Sequence, residues 1–188
     1  MARPLGSLVL VVGPSGVGKK AIIAGARHAL SNDNRFVFVQ RVVARPAAVE
    51  PDEHDGIAPD AFAKAELGGR FCLCWDAHNR RYGLPISVDT DLSLGKVVVA
   101  SVARHAVGAA CAKYPDSAVV LITAEISLRA QRLIGLGREN GDQITARLAR
   151  ESPAVPRGID PIIIDNSGML AIGVTAFVMA LVAIASQA

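Results

Sequence analysis

The feature that most constrains the fold of this chain is a glycine-rich segment near its amino terminus, GPSGVGK. A glycine, four residues and then Gly-Lys make up most of the phosphate-loop pattern. Glycines let backbone N–H groups turn inward around a phosphate, and a helix that follows presents its positive amino end. We therefore predict an ATP-binding loop whose lysine reaches the β- and γ-phosphates. The predicted ATP-binding residues are Gly13, Pro14, Ser15, Gly16, Val17, Gly18, Lys19 and Lys20, and Lys19 is also predicted to be catalytic.

The segments on either side of the loop fit this prediction. Leu8–Val12 is a short apolar run of the kind found in buried strands, and residues 20–30 form an alanine-rich helical pattern. A strand, a phosphate loop and a helix in this order are the context that the motif requires. This context argues against an ordinary glycine-rich turn.

The position after the lysine departs from the pattern. Lys20 stands where Ser or Thr would hold Mg²⁺, and an ammonium group repels a cation. The apolar strand predicted at 97–100 runs on into Ser101 instead of an aspartate that would support the metal. We therefore expect Mg²⁺ to be held mainly by ATP oxygens and water, and its protein ligands are left open.

Apolar strands alternate with helical patterns along the rest of the chain. Such alternation predicts an α/β, three-layer P-loop kinase fold in one domain, 1–188, with a parallel sheet flanked by helices. Residues 52–60 are predicted to be a loop. The predicted strands are 36–43, 71–75, 97–100, 117–123 and 162–164, and the predicted helices are 61–67, 87–94, 102–114, 127–136 and 142–151.

Composition narrows the class of protein. With 51% hydrophobic and 20% charged residues over 188 positions, the chain can build a core and is not disordered. A net charge of +3 argues against a nucleic-acid partner. Arginine supplies 15 of the 20 basic residues, which suits phosphate binding, although a solvated surface explains it equally well.

Three cysteines, Cys72, Cys74 and Cys111, form no zinc pattern, even with His78 nearby. We interpret Cys72 and Cys74 as buried thiols on a strand and expect no metal site. The chain shows no signal peptide, since the first apolar run leads straight into the glycine loop. A reducing cytoplasm is the expected compartment.

The carboxyl-terminal segment, about 169–186, has no charged residue. Its apolar length is near the lower limit for a membrane span, but aromatic and basic anchors are missing from its flanks. We favour a helix in the core or at an interface, with a membrane tail as the alternative. The oligomeric state is left open.

Arginines cluster around a glycine-containing link at about 135–147. Two pairs are three residues apart and can each share a helix face. This arrangement predicts a lid that closes over ATP and places guanidinium groups on the transferred phosphoryl. Two solvated helices are the alternative. The arginines are Arg129, Arg132, Arg138, Arg147 and Arg150, of which Arg132, Arg138 and Arg147 are predicted to be catalytic.

Several blocks together resemble guanylate kinase and, more specifically, the ribose 1,5-bisphosphate phosphokinases, guanylate-kinase-like enzymes of phosphonate breakdown. The resemblance extends from about residue 8 to 170. It implies an acceptor-binding insertion at about 41–94, and it suggests a place near adenine for Asn166, which could otherwise cap a helix. The blocks are GPSGVGK, RVVARP at 41–46, WDAH at 75–78, YG at 82–83, DL at 91–92, GREN at 137–140 and ARLAR at 146–150.

Two positions separate these relatives. In the guanylate kinases that this chain resembles, one of these positions is a Glu that reads the guanine, and the other is a Ser. This chain has Leu73 in place of the Glu and Leu84 in place of the Ser. A site without hydrogen-bonding partners for a base loses discrimination for it, so GMP is a poor acceptor. The resemblance implies acceptor binding by Arg41, Arg45, His78, Arg81, Tyr82 and Asp91. Asp89 and Asp91 could contact ribose hydroxyls or water around Mg²⁺, or simply favour a helix amino terminus, and His78 could equally be a packed or surface residue.

The resemblance implies the reaction of ATP with ribose 1,5-bisphosphate, a small sugar phosphate, to give 5-phosphoribosyl 1-diphosphate and ADP. An ionised phosphate oxygen is the nucleophile, so no general base is needed, and catalysis consists of alignment and charge neutralisation. The alternatives are a nucleoside monophosphate kinase of altered base preference and a non-catalytic guanylate-kinase-like binding module.

Overall fold

The computed structural model describes residues 6–45, 55–135, 141, 144–145, 148, 155–156 and 158–187. Its larger sheet has five strands in the order β2-β7-β1-β8-β9, and every neighbouring pair is parallel. These strands are β1 (Leu8–Val12), β2 (Phe36–Val39), β7 (Val97–Ser101), β8 (Ala118–Thr123) and β9 (Ile162–Asp165).

The described helices are α1 (Lys19–Ala29), α2 (Pro59–Leu67), α3 (Ser87–Ser93), α4 (Val107–Lys113), α5 (Ile126–Gly135) and α6 (Leu170–Ala185). A short 3₁₀ turn, Arg104–Ala106, precedes α4.

Side chains on the two faces of β1 enter two separate cores. Val9 and Val11 pack with Ile22 of α1 and with Phe177 and Leu181 of α6. Leu8, Leu10 and Val12 join a second cluster that includes residues of α3 and α4. Helices therefore cover both faces of a parallel sheet, which confirms the predicted three-layer α/β fold.

A second sheet has four strands in the order β4-β3-β6-β5. Its strands are β3 (Val42–Ala44), β4 (Asp55–Ile57), β5 (Phe71–Ala77) and β6 (Arg80–Pro85). β3 and β4 are parallel, whereas β6 is antiparallel to both β3 and β5. This sheet occupies the chain segment in which the acceptor-binding insertion is predicted.

The predicted strand at 36–43 was wrong as a single element. β2 ends at Val39 and pairs with β7 in the large sheet, while β3 begins at Val42 and belongs to the small sheet. The predicted loop at 52–60 was also wrong at 55–57, because β4 pairs there with β3. Short apolar runs carry no information about which sheet they join, and that decision depends on partners distant in sequence.

The carboxyl-terminal helix α6 packs on α1, and Phe177 and Leu181 are fully buried. The favoured interpretation of this segment as a core helix is therefore confirmed for one of its faces. None of the helices in the described ranges combines the length and apolar character needed to cross a membrane.

Candidate functional site

The glycine-rich loop lies at the carboxyl end of β1 and leads directly into α1. Gly18 is the N-cap residue of α1, with φ 85°, and no side chain caps the helix. Gly16 also has a positive φ of 80°. Both values lie in the left-handed region, which glycine enters without a steric penalty. The uncapped amino end of α1 leaves backbone N–H groups available for an anion.

Lys19 folds back over the start of the loop. Its Nζ donates hydrogen bonds to the carbonyl oxygens of Gly13 at 2.6 Å and Pro14 at 2.9 Å. These bonds place the ammonium group beside the loop, and the flexible stem of lysine can redirect it towards a bound polyphosphate.

Two arginines of α5 hold the far side of the loop. Arg129 is only 3% exposed, and its Nε donates to the Ser15 carbonyl at 3.0 Å. A Cβ at Gly16 would stand 2.8 Å from the Arg129 carbonyl oxygen, so only glycine fits against α5 there. Arg132 donates to the carbonyls of Asn166, at 2.9 Å, and Val17, at 3.4 Å.

Asn166 connects the loop to the end of β9. Its Nδ2 donates to the Val17 carbonyl at 2.7 Å, and the residue is 2% exposed. The alternative role as a helix cap was wrong, because α6 has Met169 as its N-cap residue. Its side chain supports the phosphate loop, and its predicted place near adenine stays a prediction.

These contacts engage the carbonyl groups of the loop as hydrogen-bond acceptors. The carbonyls of Gly13 and Pro14 accept from Lys19, that of Ser15 from Arg129, and that of Val17 from Asn166 and Arg132. With these carbonyls held by side chains, the backbone N–H groups of the loop can converge on an anion. The arrangement fits an anion site whose backbone is held in place by neighbouring side chains.

Lys20 is exposed in the first turn of α1, and Ser101 ends β7 at the same edge of the sheet as the loop. Among the described residues, no group of three or more His, Cys, Asp or Glu side chains could hold a metal ion. Cys72 is buried, whereas Cys74 and Cys111 are partly exposed. Burial raises the pKa of the Cys74 thiol to about 11, so it is protonated at neutral pH.

On the small sheet, one row of cross-strand neighbours runs from Gly56 through Val43 and Tyr82 to Trp75. Cross-strand partners share a face, and Val43, Tyr82 and Trp75 belong to the core cluster next to the large sheet. Tyr82 stacks on Trp75 with ring centroids 5.7 Å apart. The paired residues Leu73 and Leu84 lie on this same face. We call it the inner face.

Arg41 and Arg45 flank β3 on the inner face. The Cζ atom of Arg41 lies 4.9 Å from the ring centroid of Tyr82, and its Nη1 donates to the Ser101 carbonyl at 3.4 Å. Arg45 is 8% exposed and crosses Gly56. The structure therefore brings three of the predicted acceptor residues, Arg41, Arg45 and Tyr82, to one surface.

Arg81 lies on the opposite face of the small sheet. Its guanidinium donates from Nε to Glu66 of α2 at 2.8 Å and from Nη1 to Asp76 at 2.8 Å. Hydrogen bonds from Arg81 lower the pKa of Glu66 below its ordinary value. Phe71 lies over Gly83 on this face and stacks on Phe62 of α2. These contacts favour a structural role for Arg81.

Asp91 and His78 are also distant from the inner-face arginines. Asp91 pairs with Lys96 at 2.8 Å, and the Lys96 carbonyl accepts from Ser7 just before β1. This pair lies near the amino end of β1, about 16 Å along the strand from the loop. His78 is exposed at the tip of the β5–β6 hairpin, where its φ is 50°. A contact of either residue with an acceptor stays a prediction.

Asp89 lies in the first turn of α3, as predicted. It accepts a hydrogen bond from the Tyr114 hydroxyl, and Lys113 stands 3.7 Å away. Burial and the bond to Asp89 raise the pKa of Tyr114, so the phenol stays neutral. Lys113 also donates to the Cys72 carbonyl at 2.7 Å. The cluster joins α3, α4 and β5, which fixes the small sheet against the core.

Arg138, Arg147 and Arg150 lie outside the described residues, as does most of the predicted lid. Sequence reasoning placed Arg129 in that lid and missed its contact with the phosphate loop, since a carbonyl partner 114 positions away leaves no local signal.

A parallel sheet in this strand order, with a phosphate loop at the carboxyl end of its central strand, defines a P-loop kinase fold. Solved structures agree. Guanylate kinase from Anaplasma phagocytophilum superposes with a TM-score of 0.65 at 13% identity, covering 100% of this chain and 88% of that one. A gluconokinase from Sinorhizobium meliloti superposes with a TM-score of 0.53 at 20% identity, covering 99% and 97%. At these identities the likeness concerns the fold.

Curated relatives are closer in sequence. Ribose 1,5-bisphosphate phosphokinase PhnN of Brucella melitensis is 43% identical over 174 residues, covering 93% of this chain and 91% of the relative. The enzyme of the same name from Rhodopseudomonas palustris is 42% identical over 151 residues, covering 80% and 77%. A bifunctional ribose 1,5-bisphosphokinase-thymidine phosphorylase of Cupriavidus necator is 42% identical over 179 residues. The match covers 95% of this chain but only 30% of that relative. No family model matches the chain.

The chain therefore belongs to the ribose 1,5-bisphosphate phosphokinase family, as the sequence blocks predicted, and it is a phosphotransferase.

Proposed function

We propose that this chain transfers the γ-phosphoryl group of ATP to the 1-phosphate of ribose 1,5-bisphosphate, in phosphonate degradation in the cytoplasm. The bond from the γ-phosphorus to the β,γ-bridging oxygen breaks, and a bond to an oxygen of the 1-phosphate forms. The products are 5-phosphoribosyl 1-diphosphate and ADP. Family membership at 43% identity over most of the chain is the observation that carries this proposal.

The chain's own residues have three tasks in this reaction. The loop amides receive the β-phosphate, and Lys19 leaves the carbonyls of Gly13 and Pro14 to follow charge from the γ-phosphoryl to the bridging oxygen. Arg132, with Arg138 and Arg147 of the predicted lid, neutralises the phosphoryl group during transfer. Arg41, Arg45 and Tyr82 orient the acceptor.

Proton transfer is not needed, because the attacking phosphate oxygen is ionised at neutral pH. Mg²⁺ would shield the charge of the polyphosphate. It would arrive on ATP and keep its water ligands, in line with Lys20 and Ser101 at the positions where protein ligands would otherwise stand.

The inner face favours a sugar phosphate over a nucleotide base. Leu84 is fully buried and Leu73 pairs with it, so neither offers a hydrogen bond to a base edge. A site that lacks such groups gains little from a guanine.

An acceptor screen tests the proposal. ADP release is measured by a coupled assay with ribose 1,5-bisphosphate, GMP and the other nucleoside monophosphates under the same conditions. We expect ribose 1,5-bisphosphate to have the highest kcat/KM. Faster turnover of GMP would assign the chain to the nucleoside monophosphate kinases. Calorimetry with Mg·ATP checks the alternative of a binding module, which would show no ATP affinity.

A further inference from the structure

The short strand β3 carries two arginines at its ends. Side chains on a strand alternate between faces, so Arg41, Val43 and Arg45 share one face. Val43 is buried in the core between the arginines. Four residues of extended chain separate the two arginine Cα atoms by about 13 Å. β3 therefore carries two arginines on the same face, with a fixed spacing between their Cα atoms.

The two guanidinium groups are held by different neighbours. That of Arg41 lies over Tyr82 of β6 and reaches the Ser101 carbonyl at the end of β7. That of Arg45 turns the other way, across β4. A Cβ built on Gly56 would stand 2.0 Å from the Arg45 Nε and 2.8 Å from its Cζ, so the arginine occupies the space of the missing side chain.

This divergence limits what the pair can bind. Two arginines that forked onto one phosphate would have to converge, whereas contacts with β6 and β7 on one side and β4 on the other hold these two apart. Arg81 adds no charge to the inner face, because it pairs with Glu66 and Asp76 on the opposite face. With a bisphosphate as the acceptor, as proposed above, the two guanidinium groups are therefore placed to reach different phosphates.

We propose that Arg41 and Arg45 each bind one of the two phosphates of the acceptor, so that β3 selects a sugar bisphosphate over either monophosphate. This inference rests on the proposed function and adds to it that the two arginines bind different phosphates of the acceptor. One arginine holds the phosphate that accepts the phosphoryl group, and the other holds the phosphate at the far end of the sugar.

The two ribose monophosphates, each of which keeps one phosphate of the acceptor, test whether the two arginines bind different phosphates. Ribose 1-phosphate and ribose 5-phosphate are each assayed as competitors of ribose 1,5-bisphosphate, with wild type, Arg41→Gln and Arg45→Gln. Loss of a charged hydrogen-bond partner weakens binding by about 10- to 100-fold. We expect each variant to raise Ki by this factor for one monophosphate and by less than about 3-fold for the other, with the opposite assignment in the two variants.

A substitution at Gly56 tests whether the position of the Arg45 guanidinium matters as well as its charge. Gly56→Ala would displace Arg45 while keeping its guanidinium in the protein. We expect it to raise the same Ki as Arg45→Gln and leave the other unchanged. Arg35→Gln is the matched control, because Arg35 pairs with Asp33 just before β2, at the end of the large sheet away from the loop. Mg·ATP affinity and thermal unfolding are measured for every variant, and Arg41→Lys or Arg45→Lys replaces the glutamine variant at the same position if that variant fails to fold.

Two outcomes are distinct. If wild type fails to turn over ribose 1,5-bisphosphate, the proposed function is wrong. If it turns the bisphosphate over, but both arginine variants weaken the same monophosphate or weaken both equally, the two arginines act on one phosphate and the inference is wrong.

Discussion

The phosphate loop and the small sheet bind their proposed ligands by opposite strategies. The loop is seven consecutive residues, from Gly13 to Lys19, and presents backbone amides. The inner face of the small sheet presents side chains, and its residues come from strands spread between β3 and β6. A backbone site binds any polyphosphate of the right shape, whereas a side-chain site can change its ligand by substitution. The comparison explains how a fold of this kind can keep the same phosphate donor while substitutions in the small sheet change the acceptor.

The two regions also differ in how their charges are compensated. Cations hold the loop from outside, through the carbonyls of Ser15 and Val17, and the loop itself carries no acidic residue. On the small sheet, the charges are sorted by face. Arg81 pairs with Glu66 and Asp76 on one face, and Arg41 lies over Tyr82 on the other. Function is therefore expected to respond to loss of charge on the inner face but not on the outer one.

The largest effect is expected from Lys19→Ala. Loss of this electrostatic stabiliser should lower kcat by about 10²- to 10³-fold. The effect should be the same for every acceptor, since Lys19 belongs to the donor site. Steady-state ADP release measures it, with Lys64→Ala on the exposed face of α2 as the control. Near-normal turnover would remove Lys19 from the catalytic residues.

A smaller effect is expected from Arg129→Met, which keeps most of the side-chain volume but loses the bond to the Ser15 carbonyl. We expect the KM for ATP to rise about 10-fold, while the KM for the acceptor stays within about 2-fold. Arg129→Lys should recover part of the ATP affinity, because it restores the buried charge. Equal changes in both KM values would show that Arg129 supports the whole fold instead of the loop.

The smallest effect is expected from Arg81→Gln. Its ion pairs are partly exposed, so the free energy of unfolding should fall by about 1 kcal/mol or less at neutral pH. The pKa of Glu66 is lowered in the folded protein, so the pair stabilises above the ordinary carboxyl pKa and this contribution is lost on acidification. Thermal unfolding should show a larger difference from wild type at pH 7 than at pH 3, with acceptor KM unchanged. A large rise in acceptor KM would return Arg81 to the acceptor site.

The strand, the phosphate loop and the helix of the donor site could be predicted from sequence. These three elements are contiguous, and their bounds differ from the prediction by one residue in α1. The small sheet could not. β4 falls in a polar segment predicted as a loop, and β6 was missed although His78-Asn79, with positive φ at both positions, forms the two-residue hairpin turn before it.

The sequence by itself determined the phosphate loop, the α/β class and the family, because each is recognised from short contiguous patterns that need no knowledge of distant contacts. Only the tertiary structure decided which arginines serve the loop, which pair with carboxylates and which share the inner face. Long side chains reach partners far away in sequence, and on a strand a shift of one position reverses the face. Arg41 and Arg81 look alike in the sequence, but the small sheet places them on opposite sides.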